Sequence, residues 1–150
     1  MAINFIHISD THHSELNTRI SDKAPIGVEV IEYYSLNKKI RRKYLSQLLH
    51  NLIIEKKLKE HQIVIIGGHS LRNTCIGEDN KIGQFIISKN GSPAEKIIPY
   101  YTYMKYKGLE SDVVILLDVE NHDPRWSKKS SLYTAMSRAK HLLYIISVKE

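Results

Sequence analysis

Residues 100–120 read YYTYMKYKGLESDVVILLDVE, and the fold turns on them. A tyrosine-rich segment leads through Lys107, Gly108, Leu109 and Glu110 into an unbroken apolar run, Val113 to Leu117, which ends on Asp118. An apolar run without polar alternation is the pattern of a strand covered on both faces, as in a parallel sheet between helices. A buried strand that ends in an acidic residue also suits the carboxyl edge of a nucleotide-binding sheet.

The same pattern recurs at the end of the chain in LLYIISV (142–148). Further runs rich in Ile, Val and Tyr, bounded by Gly, Pro, Asn or charge, predict strands at 3–8, 27–34, 62–67, 83–88 and 96–103. Between the second and third of these, Leu36, Ile40, Tyr44, Leu45, Leu48, Leu49, Leu52, Ile53 and Leu58 recur at helical spacing. They predict one long helix with a buried stripe, opened by Ser35 as N-cap. A second helix is expected over about residues 129–140, and KNGSPAE (89–95) reads as a loop at the tip of a hairpin. The composite is a single α/β domain over 1–150 with a mostly parallel sheet flanked by helices.

Composition bounds the function only loosely. At 150 residues the chain can bury one ordinary core, and 42% hydrophobic with 25% charged residues is a globular balance. A formal charge of +6 makes an acidic partner plausible without selecting one. Cys75 is the sole cysteine, which excludes an internal disulfide and any multi-cysteine zinc site; it is expected to be a half-buried thiol. No apolar run approaches the roughly 20 residues that span a bilayer, and the opening ten residues do not resemble a signal peptide. No membrane partner and a cytoplasmic location are expected.

Two motifs in the last third carry the functional signal. Thr102, then Lys107, Gly108, Leu109 and Glu110, precede the first apolar strand. Tyr133, Ala135, Ser137, Arg138 and Ala139, in LYTAMSRAKHLLYII (132–146), precede the last. In residue type, order and separation the pair resembles the last two conserved motifs of superfamily-1 helicases of the UvrD/Rep type. The likeness is clear over 100–150. It extends more weakly through HQIVIIGGHSLRNT (61–74) and the basic helix before it to about residue 27.

The resemblance implies a RecA-like domain, the second of the two motor domains, and so a piece of a longer DNA helicase or nucleic-acid-dependent ATPase. The complete enzyme would use ATP and Mg2+; this chain alone is expected to be inactive and to bind neither tightly. Arg138 matches the arginine finger that meets charge on the transferring phosphate. Glu110 matches a carboxylate that accepts hydrogen bonds from the nucleotide ribose, with Gly108 allowing close backbone approach. Thr102, Lys105, Tyr106 and Lys107, joined by Ser70 and Arg72 after the upstream strand, match the side facing single-stranded nucleic acid, DNA being favoured. The partner domain is an amino-terminal RecA-like motor, in cis or in trans.

Departures from the family pattern are equally legible. No Gly-x-x-x-x-Gly-Lys-Ser/Thr occurs, so the chain has no phosphate-binding loop of its own. Met104 stands where the family usually has His, and the early arginine-bearing motif has only Arg19 as a poor candidate. Asp118 follows the Lys-Gly-Leu-Glu segment, where the family has a core strand, and is therefore rejected as a catalytic carboxylate.

Rival readings rest on shorter signals. Taken alone, Arg138, Lys140 and His141 are cations at a helix carboxyl end, which its dipole favours. A chain with these motifs and no phosphate loop could also be a stand-alone nucleic-acid-binding or regulatory module. FIHISDTHHSE (5–15) offers Asp10 and His12 in the manner of metallophosphoesterases, loosely echoed by His69, His122 and Asp123. The Gly-Asp-x-x-Asp element that would complete a metal site is missing, so no metal ligands are assigned. NKKIRRK (37–43) reads mainly as the solvated face of a helix, and about half of the tyrosines in YYTYMKY should be core.

Overall fold

The computed structural model describes residues 17–19, 29–89, 96–102, 110–120 and 136–150, the first three as backbone only. They form one eight-stranded sheet. In chain order the strands are β1 (Asn17–Arg19), β2 (Glu29–Tyr34), β3 (Ile63–Gly67), β4 (Lys81–Ile82), β5 (Phe85–Lys89), β6 (Ile97–Thr102), β7 (Ser111–Val119) and β8 (Ala139–Ser147). Across the sheet they run β1-β2-β8-β7-β3-β6-β5-β4. The six inner strands are mutually parallel, while β1 and β4 pair antiparallel at the two edges. The fold is α/β with a mostly parallel sheet, as the uninterrupted apolar runs predict.

Those runs do alternate, but between two cores rather than between core and water. Val113, Ile115 and Leu117 of β7 enter one cluster with Ile63 and Ile65 of β3 and Tyr144 and Ile146 of β8. Val114 and Leu116 enter the other with Val64, Ile66, Leu143 and Ile145. Period-two geometry sends successive side chains to opposite faces, so a strand buried on both sides shows no hydropathy alternation.

The first cluster is closed by α1 (Lys38–His50), whose Tyr44, Leu45, Leu48 and Leu49 lie on it. Burial on the order of 1.5–3 kcal/mol for each large apolar side chain makes this stripe the main tie between helix and sheet. Asn37, not Ser35, is the N-cap: its Oδ1 accepts from the amides of Lys39 (2.9 Å) and Ile40 (3.2 Å). Ser35 Oγ instead accepts from the Asn37 amide, one step earlier, and Leu36 is 58% exposed rather than part of the stripe. The helix relaxes into a π segment, Asn51–Glu55, and stops where Lys57 adopts a φ of 62°.

Three further expectations are corrected. β5 and β6 are parallel, with Lys89 opposite Tyr100, so 89–95 does not cap a hairpin; residues 90–95 lie outside the described residues. Of the helix expected over 129–140, residues 129–135 lie outside the described residues, Met136 is helical, and Ala139 already pairs with Ser111 as the first residue of β8. Lys140 and His141 are strand residues, because β8 extends three residues further upstream than its apolar run. Cys75 is fully buried rather than half-buried. The predicted strand at 3–8 lies outside the described residues.

Candidate functional site

In a parallel sheet every strand starts at one edge and ends at the other. The candidate residues divide between these edges.

At the amino edge, Ser111 opens β7 opposite Ala139 of β8, and the Ser111 amide donates to the Arg138 carbonyl at 3.0 Å. Glu110 and Arg138 therefore immediately precede a bonded pair, side by side at the start of two adjacent strands. Glu110 is exposed and Arg138 half-buried. The Arg138 Nε is buried and finds no hydrogen-bond partner among the described residues. A guanidinium stays protonated at any physiological pH, and a buried N–H without an acceptor costs on the order of 1–3 kcal/mol.

The surroundings of this pair are fixed by β3 and the turn before it. Ser111 Oγ donates to the Gln62 carbonyl (3.0 Å), and Gln62 Nε2 donates to Asp112 Oδ2 (3.2 Å). The Gln62 Oε1 accepts from the Lys59 amide at 2.8 Å, which holds the 59–62 turn against the same edge. His141 Nε2 stands 3.8 Å from Asp112 Oδ1, largely in solvent.

At the carboxyl edge, Gly67 ends β3 opposite Thr102, the last residue of β6. Thr102 is half-buried, and Ser70 and Arg72, in the turn after β3, are exposed. A Cβ on Gly67 would collide with the Tyr100 hydroxyl and come within 2.9 Å of its Cζ. Glycine here lets Tyr100 cross over the end of β3 and donate to the His69 carbonyl at 2.5 Å. Burial, then the nearby Asp118 carboxylate, push the Tyr100 phenol well above its ordinary range, so it remains a donor.

The loop beyond is anchored from two sides. Asp118 occupies a bulge where two β7 residues oppose Ser147, and its φ of 54° turns it out of the strand's alternation. Its carboxylate accepts from Arg41 Nε (2.9 Å) and from the Cys75 amide (2.8 Å). Arg41 also donates through NH1 to the carbonyls of Ser35 and Leu36, both at 3.0 Å. Arg42 donates to the carbonyls of Ile76 and Lys81, pinning the loop before β4 to α1. The Cys75 thiol is raised far above its usual range, by burial first and Asp118 second, and is therefore inert.

This network was not anticipated. Arg41 and Arg42 sit in the basic run read mainly as a solvated face, yet Arg41 is buried and Arg42 half-buried. The usable signal was Asp118 itself, an acidic residue ending a wholly apolar strand, which calls for a cation. Gly108, Lys105, Tyr106 and Lys107 lie outside the described residues, as do Asp10, His12, His122 and Asp123. Among the described residues no group of three or more His, Cys, Asp or Glu side chains could hold a metal ion, and no helix is long and apolar enough to cross a membrane.

Comparison with known proteins falls on the same third of the chain as the two motifs. Residues 101–146 match the UvrD-like helicase C-terminal domain. That span begins at the end of β6, runs through β7 and nearly completes β8, and it contains both Glu110 and Arg138. The fold is similar to a crystal structure of the C-terminal domain of a possible DNA helicase from Lactobacillus plantarum WCFS1. The TM-score is 0.60 at 19% identity, over 83% of this chain and 75% of that one. No curated protein gives a significant match. The UvrD-like C-terminal match and the RecA-compatible sheet agree with the family resemblance read from the motifs.

Proposed function

We propose that this chain is the carboxyl-terminal, RecA-like motor domain of a DNA helicase or related nucleic-acid-dependent ATPase. The observation that carries the reading is the juxtaposition of Glu110 and Arg138. They come from two separate motifs, meet at the start of adjacent strands, and one of them holds a buried, unanswered N–H.

In this reading the amino edge faces nucleotide held mainly by an amino-terminal motor domain, in cis or in trans, which brings the phosphate loop and the Mg2+ site. Phosphoryl transfer spreads negative charge over the equatorial oxygens of the moving group, and catalysis is largely positioning and charge stabilisation. Arg138 supplies a planar, permanently charged donor set for that charge. Glu110, a pure acceptor when ionised, suits the hydroxyls of the ribose, and the family resemblance adds Gly108 to the nucleotide-binding set. The opposite edge, through Thr102, Ser70 and Arg72, faces the single strand, and the family resemblance adds Lys105, Tyr106 and Lys107 to that role.

The test is Arg138→Ala in the intact enzyme. Nucleic-acid-stimulated ATP turnover should fall on the order of 10³-fold, the lower end for such a finger. Oligonucleotide affinity should stay within about threefold, a shift of only some 0.7 kcal/mol. Equal losses in both, repeated with Arg138→Lys, would make Arg138 a structural residue and favour a stand-alone binding module.

A further inference from the structure

At the carboxyl margin of β3 and β5 lies a cavity of about 580 Å³, lined by Ser70, Leu71, Arg72, Glu78, Asn80 and Lys89. Its size is within the range of small-ligand sites, but its lining is not: five of the six side chains are polar or charged, and Leu71 is itself buried. Arg72 and Lys89 have no carboxylate partner among the described residues. Two cations converging on one polar hollow, with one acid, define a place for an anion bearing further hydrogen-bonding groups.

The walls of this hollow are held by parts already described. Lys89 stands opposite Tyr100, whose hydroxyl reaches across Gly67 to the His69 carbonyl beside Ser70. Asn73 Nδ2 donates to Ser70 Oγ at 3.0 Å, which uses that oxygen as acceptor and leaves its O–H to be given to a ligand. On the far side Arg42 fixes Ile76 and Lys81, and the Asp118 carboxylate fixes the Cys75 amide. Asn80, at a φ of 55°, closes the loop by accepting from the Ile87 amide through its carbonyl at 2.9 Å.

We infer that this cavity seats one nucleotide unit of the single strand, its phosphate between Arg72 and Lys89 and its sugar or base toward Glu78 and Asn80. Glu78 accepts but cannot donate when ionised, so it repels phosphate oxygens and favours a hydroxyl or exocyclic amine. Lys89, Asn80 and Glu78 extend the strand-facing set beyond Thr102, Ser70 and Arg72, along the carboxyl edge to β5. The inference rests on the reading of this domain as nucleic-acid-dependent.

Salt dependence tests it. Each phosphate contact to a single strand contributes about 0.7 to the slope of log affinity against log salt concentration. In the full-length protein, binding of a fluorescein-labelled oligodeoxythymidylate is measured from low to moderate salt for wild type, Arg72→Gln/Lys89→Gln and Arg138→Ala. Because the two cations share one phosphate, the double variant should lose roughly 0.7 from the slope, and Arg138→Ala should keep the wild-type value. Both replaced side chains are exposed, and an unchanged thermal unfolding curve confirms that the fold is intact.

A wild-type slope in the double variant, with strand binding otherwise normal, overturns the cavity assignment and leaves the motor reading standing. No strand binding by the wild type overturns both. Competition separates the sources of phosphate: displacement of the oligonucleotide by thymidine monophosphate at equal nucleotide concentration would make this a free-nucleotide site and overturn the strand assignment. Weak or absent displacement supports it.

Discussion

Arg41 and Asp118 meet at 2.9 Å in the interior although 77 residues separate them in the chain. Their contact joins the start of α1, the end of β7 and, through the Cys75 amide, the loop after β3. Both carboxylate oxygens of Asp118 are engaged, one by Arg41 and one by the Cys75 amide, so the value of the cluster lies less in net energy than in the cost of breaking it.

Removing one partner should therefore be expensive. Asp118→Leu leaves the buried Arg41 without its counter-charge and the Cys75 amide without its acceptor, and forces a branched side chain into a left-handed backbone. A loss of about 3–5 kcal/mol is expected in urea unfolding. Asp118→Asn keeps an acceptor and tolerates positive φ, so it should cost clearly less. Equal losses for the two would mean that neither the acceptor nor the backbone conformation matters.

Gly67→Ala sets a methyl group against Tyr100, and overpacking of this kind costs about 1–3 kcal/mol. In a Tyr100→Phe background the worst contact is gone, so the same change should cost less. A double-mutant cycle in denaturant reads the difference directly. Strict additivity would show that the two residues do not constrain one another.

Alkaline pH should weaken the fold. Cys75 and Tyr100 are both held neutral in the native state, with ionisation raised from ordinary values of 9.0 and 10.0. Below about pH 9 both are protonated folded and unfolded, so stability is flat on their account. Above it the unfolded chain releases protons that the native state retains, and stability falls by up to about 1.4 kcal/mol per pH unit for each group. Unfolding free energies from pH 7 to 11 should show this decline, and Tyr100→Phe should flatten its upper part.

Arg42→Ala should loosen the wall of the carboxyl-edge cavity without unfolding the domain. Amide hydrogen exchange between Cys75 and Ile82 should accelerate, while β7 and β8 keep their protection. Uniform acceleration throughout would show that Arg42 supports the whole fold rather than this loop.

Much of the architecture was legible because it depends on local pattern. Apolar runs at 113–117 and 142–146 read as strands buried on two faces, and the stripe between Leu36 and Leu58 read as a helix with one buried side. Glu110 and Arg138 were singled out through motif likeness, and the strands that follow them, β7 and β8, are neighbours in the sheet.

What failed to show depends on contacts distant in sequence or on single dihedral angles. Arg41 looks like any lysine-rich neighbour until Asp118 is known to turn inward at a bulge. Lys89 is an ordinary surface cation until parallel pairing of β5 with β6, rather than a hairpin, brings the end of its strand to the margin that carries Arg72. The N-cap moved from Ser35 to Asn37 because both residues fit the rule and only the backbone path chooses.

The order of strands has a consequence for how the chain is made. β8, the final strand, lies between β2 and β7, so β2 gains its parallel partner only when residues 139–147 have left the ribosome. Until then α1 and β2 have no complete sheet to pack on, and pairing of β2 with β8 requires closing a long loop that contains the other described parallel strands. The domain must therefore fold after synthesis of its last strand rather than during it. A nonsense codon a few residues before Ala139 would remove a central strand, not a tail.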